Sequence, residues 1–239
     1  MHTSVAPCIL VLSPHPDDEI LGCGGSIINR IREGNSVHIA YLSLGENASP
    51  SIKPTELGTV RKMEAVAAAG LLGVKSDRLH FINIPDGNIE PSDLESMKKI
   101  MRLIRNLKPT IAYLPHANES SYDHRQAHDL CMRAIAMAPS NNYKEAGDVP
   151  WWIETVLAYE VWTPIQNFQY TEDITSVIDE KIAALKCYGS QNANNKGPST
   201  YIGEAARSLP AYRGAMSIGG YREAFQILRL SRLPTGETN

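Results

Sequence analysis

The sequence predicts a three-layer α/β fold, in which a mainly parallel sheet carries helices on both faces. Two observations lead to this prediction. Short apolar runs rich in branched residues alternate with longer segments of helical periodicity over the first two thirds of the chain. The connections between them are short and are marked by Gly or Pro. Strands that alternate with helices pair in parallel, because each helix returns the chain to the same edge of the sheet.

The predicted elements follow one another in Rossmann-like order. Residues 9–12 form the first strand, the glycine-rich residues 22–25 a tight loop, and residues 26–33 the first helix. Further strands are predicted at 37–42, 79–82, 110–114 and 156–161, and further helices at 60–72, 94–107, 123–137 and 175–188. Lys181 is expected to point outward from the last helix, and residues 191–199 to form a loop or lid. No composition shift divides the chain, so residues 1–239 are predicted to form one domain.

The composition indicates a soluble protein without a basic surface for nucleic acid. Hydrophobic residues make up 43% of the chain and charged residues 21%, as in ordinary globular proteins. The net charge of −3 gives no basic field for nucleic acid or an anionic membrane. No apolar stretch approaches the roughly 20 residues that span a bilayer, and no signal peptide is visible. Four widely spaced cysteines favour free thiols, so we expect a cytoplasmic location; a homo-oligomer is left open.

The most informative motif is Pro-His-Pro-Asp-Asp-Glu at 14–19, directly after the first strand. Open α/β sheets bind their ligands at the carboxyl ends of such strands. A histidine beside two carboxylates supplies two metal ligands and a spare base, as metal-assisted hydrolysis requires. The alternative is that Asp17, Asp18 or Glu19 only caps the following helix. Capping needs one carboxylate, however, and three adjacent ones repel each other unless a cation lies among them.

A third metal ligand is expected from a histidine further along the chain, because catalytic zinc takes three protein ligands and a water. His116 ends the fourth strand and so lies at the same edge of the sheet as the first motif. His124 and His128 lie one turn apart at the start of the next helix. All three are candidates from position alone.

His124 gives a set of two imidazoles and one carboxylate together with His15 and Asp18. Asp123 is then placed to orient a neighbouring imidazole. The alternative is that Ser120, Ser121 or Asp123 only caps the helix, with His124 exposed in its first turn.

Six segments, in one order, carry a family resemblance that covers most of residues 9–191. They are PHPDDEILGCGGSI at 14–27, RKMEAVAAAGLLGV at 61–74, IPDG at 84–87, KPTIAYLPH at 108–116, DHRQAH at 123–128 and YGSQ at 188–191. In these segments the chain resembles the PIG-L/LmbE-type deacetylases, metal hydrolases that remove acetyl groups from N-acetylglucosamine conjugates. The first segment is highly specific, and the others are individually weak.

The resemblance implies a role for each residue of the first motif and its partner helix. His15, Asp18 and His124 correspond to the zinc ligands of the family, and the same donor set would accept ferrous iron. Asp17 corresponds to the general base. The implied substrate is an amino-sugar conjugate carrying an N-acetyl group.

The resemblance also implies contacts with the substrate. Arg61 and Asp86 correspond to substrate-binding residues of the family. Glu46 follows the second strand at the same edge of the sheet and is a further candidate for contact with sugar hydroxyls, with a simple turn as the alternative.

One departure from the family pattern concerns Ser121, two residues before Asp123. Many members carry His-x-Asp-His, with the first histidine stabilising the oxyanion, whereas this chain has Ser121 in that place. Either the metal carries more of that charge, or His116 or His128 substitutes. The departure also leaves open a catalytically silent sugar-binding protein. A nucleotide-binding oxidoreductase is a further alternative, but residues 22–27 lack the last glycine of the G-x-G-x-x-G motif.

Overall fold

Seven strands form one sheet in a computed structural model, which describes residues 7–193 and 202–231 of the chain. They are β1 (Cys8–Ser13), β2 (Ser36–Tyr41), β3 (Leu79–Phe81), β4 (Ile111–Pro115), β5 (Thr155–Tyr159), β6 (Tyr170–Asp173) and β7 (Arg222–Leu230). Their order across the sheet is β3-β2-β1-β4-β5-β7-β6. Neighbouring strands from β3 to β5 are parallel, and β7 is antiparallel to both β5 and β6. The predicted fold class is therefore confirmed.

Helices connect the strands and cover both faces of the sheet. They are α1 (Asp18–Arg32), α2 (Pro54–Leu72), α3 (Leu94–Leu107), α4 (Tyr122–Met137), α5 (Ile178–Leu185), α6 (Gly189–Ala193) and α7 (Ile202–Ala215). Single 3₁₀ turns lie at Ser76–Arg78 and Lys144–Ala146. Among the helices of the described ranges, none combines the length and the apolar character needed to cross a membrane.

The core has two apolar layers, one on each face of the sheet. Along β1, Ile9 and Val11 join the layer formed with α1, α2 and α5, whereas Leu10 and Leu12 join the layer formed with α3 and α4. Because helices cover both faces, the strand is apolar throughout instead of alternating with polar residues. From β1 the chain continues to β2 on one side of the sheet, and from β4 it continues to β5 on the other side. A crevice therefore opens above the carboxyl ends of the central strands β1 and β4.

The glycines that follow β1 do not form the predicted loop. Helix α1 begins at Asp18 and contains them, with non-helical backbone angles at Cys23. A Cβ at Gly22 would lie 2.2 Å from the Tyr159 ring, and one at Gly25 would lie 2.5 Å from Ile174 Cγ2. The glycines therefore let α1 pack closely against the residues beneath it, and they do not form the phosphate-binding loop of an oxidoreductase.

Several predicted boundaries also differ from the structure. Helix α2 starts at Pro54, a favoured residue for the first helical turn, and α5 covers only Ile178–Leu185. Strands β6 and β7 and helix α7 were not predicted. Of the predicted loop or lid at 191–199, residues 191–193 belong to α6, and the rest lies outside the described residues.

Lys181 does not point outward as predicted, because it is fully buried. Its Nζ donates to Glu223 Oε1 at 2.7 Å and to the Leu21 carbonyl oxygen at 2.9 Å. Glu223 also accepts hydrogen bonds from the backbone amides of Gly25 and Ser26. The buried pair thus joins α1, α5 and β7.

We predict that Gly25→Ala destabilises the protein, because its Cβ would overlap Ile174. The free energy of unfolding, measured by urea denaturation, should fall by about 1–3 kcal/mol. Gly70→Ala in α2 is the matched control, since a Cβ there meets nothing within 4 Å. The better helix propensity of alanine should raise the free energy of unfolding of this control by about 1 kcal/mol. Equal effects of the two substitutions would contradict the packing role of Gly25.

Candidate active site

The first motif forms the turn between β1 and α1, at the crevice above the central strands. Asp17 is the residue before α1 and has a φ of 116°, in a region that favours glycine. This turn places His15 before the bend and Asp18 in the first turn of the helix. The two side chains consequently face each other, with His15 Nδ1 3.2 Å from Asp18 Oδ2.

His124 completes the cluster from the first turn of α4. Its Nε2 lies 3.1 Å from the same Asp18 Oδ2 that His15 contacts. Its Nδ1 is buried without a hydrogen-bond partner in the part of the chain that the structure describes, and Glu119 Oε2 lies 3.8 Å away. Two imidazole nitrogens and one carboxylate oxygen therefore converge on one point, with ligand atoms within 4.8 Å of one another.

Two further carboxylates contact the other ring nitrogen of His15. Nε2 lies 3.2 Å from Asp123 Oδ2 and 3.1 Å from Asp86 Oδ1. Asp123 also accepts a hydrogen bond from the Gly87 backbone amide at 2.9 Å. These contacts fix the orientation of the His15 ring, and with it the direction of Nδ1 toward Asp18.

Asp17 pairs with Arg61 of α2. The distance from Arg61 Nη2 to Asp17 Oδ2 is 3.4 Å. Arg61 also donates to the carbonyl oxygens of Gly45 and Pro16, and its side chain is almost fully buried. Gly45 has a φ of 63°, and a Cβ there would overlap the guanidinium. Arg61 is therefore held rigidly beside Asp17.

Asp86 and Glu46 belong to two loops that are hydrogen-bonded to each other. The Asp86 amide donates to Glu46 Oε1, and the Asn47 amide donates to Asp86 Oδ2, both at 2.9 Å. This pairing holds Asp86 in contact with His15. Glu46 itself does not line the cavity at His15 and Asp18 but lines a neighbouring one.

A cavity of about 230 Å³ opens above the cluster. Its lining includes His15, Asp17, Asp18, Arg61, Asp86, Ser121, His124, Trp162 and Gln191. Asp123 contacts the cluster through His15, and Ser121 is the residue before α4, with no side-chain capping bond. The structure therefore brings eight of the nine predicted site residues to one point, with Glu46 adjacent.

His116 and His128, the proposed substitutes for an oxyanion donor, lie elsewhere. His116 Nε2 contacts the Thr163 carbonyl oxygen at 2.8 Å, and its Nδ1 accepts from the Asn118 amide. His128 Nδ1 contacts the Pro115 carbonyl oxygen at 2.8 Å. Neither residue lines the cavity above the cluster.

Comparison with known families identifies the chain. The family model described as "PIG-L: GlcNAc-PI de-N-acetylase" matches residues 10–135, more than half of the sequence. The chain belongs to the PIG-L family.

Three proteins illustrate what the chain is similar to. The diacetylchitobiose deacetylase of Thermococcus kodakarensis is 28% identical over 92% of this chain and 82% of its own length. The 4-oxalmesaconate hydratase of Pseudomonas putida is 29% identical over 76% of this chain and 73% of its own. The crystal structure of a conserved protein from Thermus thermophilus superposes with a TM-score of 0.80 at 28% identity, covering 96% of this chain and 99% of that one.

In this PIG-L site, the buried carboxylates favour a positive charge on or between the imidazoles of His15 and His124. Burial alone would raise the pKa of Asp18, but His124 and His15 outweigh it and lower the pKa well below its usual range. Burial alone would likewise lower the pKa of His15, yet its carboxylate neighbours, Asp123 foremost, raise it well above the usual value. That positive charge can be protons on the imidazoles or a cation bound by neutral rings.

The donor set fits a divalent metal. Nδ1 of His15 and Nε2 of His124 share Asp18 Oδ2, and the opposite nitrogen of each ring faces a carboxylate. This is the arrangement by which outer carboxylates fix the tautomer of metal-binding imidazoles. Two imidazoles, one carboxylate and an open cavity are typical of catalytic zinc or ferrous sites.

Asp17 is in a different electrostatic state from Asp18. Burial raises the pKa of Asp17 to about 7, opposed by Arg61 and reinforced by the charges of Asp18 and Glu19. Arg61 occupies one carboxylate oxygen of Asp17. A carboxylate with a pKa near neutrality is well matched to proton transfer at neutral pH.

Sequence reasoning missed Glu119 and Trp162. Glu119 is buried and accepts hydrogen bonds from the backbone amides of Val161, Trp162 and Thr163. It thereby positions the segment after β5, whose Trp162 is 47% exposed and lines the cavity. The sequence signal is weak, since Glu119 lies 42 residues from the first amide that it binds.

We predict that Glu119→Ala destabilises the protein and loosens the Trp162 segment. Its loss leaves buried backbone amides without an acceptor, so the free energy of unfolding should fall by about 3 kcal/mol. Urea denaturation measures this change. Glu180→Ala is the control, because Glu180 is exposed and pairs only with exposed Arg32 among the described residues. Its effect should stay within about 0.5 kcal/mol, and a Glu119→Ala effect as small as that would contradict the assigned role.

Proposed function

We propose that the chain is a metal-dependent hydrolase that removes the N-acetyl group from an N-acetylglucosamine-type conjugate. The observation that carries the proposal is the convergence of His15 and His124 on Asp18 beside an unligated Asp17 in one cavity. Family membership supports it, and the relative from Thermococcus kodakarensis is named for deacetylating an acetylated amino sugar. The expected products are acetate and a free amine.

His15, Asp18 and His124 would hold the metal, either zinc or ferrous iron. Such a metal supplies Lewis-acid polarisation of the acyl carbonyl and a water of lowered pKa. Asp123 keeps the His15 ring in place from behind through its contact with Nε2. The chain's own contribution is thus a rigid, pre-oriented set of ligands.

Asp17 would act as the general base and then as the general acid. Its Oδ2 is paired with Arg61, and its other oxygen has no hydrogen-bond partner within the described ranges. That oxygen can accept the proton of the attacking water and return it to the amine nitrogen as the C–N bond breaks. The presence of Asp17 as a base argues against a sugar-binding protein without catalytic activity, because sugar binding alone does not require a base.

Ser121 would donate its hydroxyl to the carbonyl oxygen as negative charge develops there. Its side chain makes no capping bond, and the residue lines the cavity. His116 is excluded from this task because both of its ring nitrogens already contact other backbone groups. The serine supplies a neutral hydrogen bond in place of the cationic donor found in many relatives.

Arg61, Asp86 and Glu46 would help to bind the substrate. Arg61 and Asp86 line the cavity, and Glu46 buttresses Asp86 through its backbone amide. Carboxylates accept hydrogen bonds from sugar hydroxyls, as Asp86 would do here.

Hydration is the second reaction to consider, because a relative of similar identity is named as a 4-oxalmesaconate hydratase. That reaction also needs a positioned water and a base. The lining that the structure describes for this cavity, however, holds one arginine and no lysine, and that arginine already donates to backbone carbonyls. Without a free Lys or Arg side chain, the lining disfavours a polyanionic substrate and suits a neutral acetamido sugar.

We predict that Asp17→Asn retains the metal and loses turnover. Removal of the base should lower kcat for release of free amine from N,N'-diacetylchitobiose by about 10²–10⁴-fold. Metal content is measured on the same protein samples by elemental analysis. Asp18→Asn is the control and should lose both metal and activity. If Asp17→Asn also loses the metal, the division of roles between the two aspartates is wrong.

We predict that Ser121→Ala lowers kcat more than it changes KM. Loss of an oxyanion donor acts on the transition state, and kcat should fall by roughly 10²-fold, the lower end for such donors. Steady-state kinetics with N,N'-diacetylchitobiose measure both constants, and circular dichroism checks the fold. An unchanged kcat would assign the oxyanion to other groups.

A further inference from the structure

The cavity at the catalytic cluster is too small to hold a whole amino-sugar conjugate. Its volume is about 230 Å³, below the roughly 300–1,000 Å³ of typical small-molecule sites. The reacting acetamido group would have to lie in this cavity, which Asp17 and His124 both line, so the remainder of the substrate must extend outside it. A second cavity of about 580 Å³ has the size that this remainder needs.

The two cavities share their walls. In three segments, one residue lines the catalytic cavity and its chain neighbour lines the second: Gly45 and Glu46, Asp86 and Pro85, and Arg61 and Lys62. Hydrogen bonds hold this shared wall together, since the Asp86 amide donates to Glu46 and Arg61 donates to the Gly45 carbonyl oxygen. The two cavities are therefore separated by a single layer of residues, and a substrate anchored at the catalytic cluster needs to extend past that layer alone to reach the second cavity.

The lining of the second cavity is mainly apolar. It includes Leu44, Pro54, Ile84 and Pro85, together with the hydroxyl-bearing residues Thr55 and Thr59. Its two charged residues are already engaged, because Glu46 accepts from Asp86 and Lys62 Nζ lies 4.6 Å from the centre of the Phe81 ring. The cavity consequently suits an uncharged group with an apolar face.

A third cavity, of about 390 Å³, differs from the second in its lining and in how it adjoins the catalytic cavity. It is lined by amide side chains that include Asn118, Gln166 and Gln226. It adjoins the catalytic cavity where Trp162 lines one and Thr163 the other, a single such pair among the lining residues. The second cavity is therefore the better continuation of the catalytic one.

We propose that the cavity lined by Leu44, Pro54, Gly58 and Ile84, which we call the aglycone cavity, binds the aglycone of the substrate through an uncharged, apolar face. This assignment rests on the proposed deacetylase function and deepens it. It makes the aglycone cavity the determinant of which conjugate is preferred, and the catalytic cavity the determinant of the reaction.

Gly58 of α2 offers a direct way to fill the aglycone cavity. A Cβ there would lie 3.4 Å from Glu46 Cβ and 3.5 Å from Leu44 Cδ1, which are ordinary contacts. Gly58→Leu would place its branched side chain in the space, and leucine also favours a helix over glycine. Gly58→Ala is the smaller companion variant, which fits without displacing its neighbours. Gly70→Leu is the matched control in the same helix, where a Cβ meets nothing within 4 Å.

The experiment compares kcat/KM for release of free amine from two substrates, N-acetylglucosamine and the better anomer of its phenyl glycoside. The wild-type protein should prefer the phenyl glycoside. Gly58→Leu should lower the ratio of the two kcat/KM values about tenfold, a loss of about 1.4 kcal/mol of aglycone binding. Gly58→Ala should lower it less, and Gly70→Leu should leave it unchanged. The ratio cancels any general loss of activity.

Three results would overturn the proposal, in two distinguishable ways. A wild-type protein that prefers N-acetylglucosamine, or a ratio that both Gly58 variants leave unchanged, overturns the aglycone cavity alone. Absence of amine release from both substrates by metal-loaded wild-type protein overturns the proposed function, and the assignment of the aglycone cavity with it.

Discussion

The architecture of the site depends on separating three adjacent buried carboxylates. Asp17, Asp18 and Glu19 are each less than one tenth exposed, and clustered negative charge of this kind is costly without partners. The positive φ of Asp17 turns the three side chains in different directions. Asp17 then meets an arginine from α2, Asp18 meets imidazoles from two segments, and Glu19 accepts from tyrosine hydroxyls, with Tyr188 at 2.7 Å. Partners from five parts of the chain, with Tyr41 as the second tyrosine, thus meet at one edge of the sheet.

Much of the fold could be predicted because its strands are buried on both faces. Such strands are short apolar runs, and the five predicted strands lie within two residues of the observed ones. The single-faced helix α3 was predicted with its observed bounds, because its apolar residues recur at helical spacing. The candidate metal cluster could also be predicted, since His15 and Asp18 lie a few residues after the first predicted strand and His124 lies in the first turn of the predicted helix 123–137, at the same edge of the sheet.

The missed features depend on partners that are distant in the chain. Lys181 looks like a surface residue by composition, but Glu223, 42 residues away, makes its burial favourable. The glycines of α1 look like a loop, but the bulk of Tyr159 and Ile174 explains them. Glu119 has no local motif at all, since the groups that it binds are backbone amides of the segment after β5. In each case the deciding contact joins elements that only the tertiary structure brings together.

The N-terminus of α4 supports the role proposed for Ser121. Ser121 is the residue before the helix, so the positive end of the helix dipole lies at the same wall of the cavity. The dipole provides partial positive charge that does not depend on a protonated imidazole, while the hydroxyl provides a directed hydrogen bond. In the proposed mechanism, the charge that faces the developing oxyanion therefore comes from the fixed backbone of a helix and not from a titratable side chain.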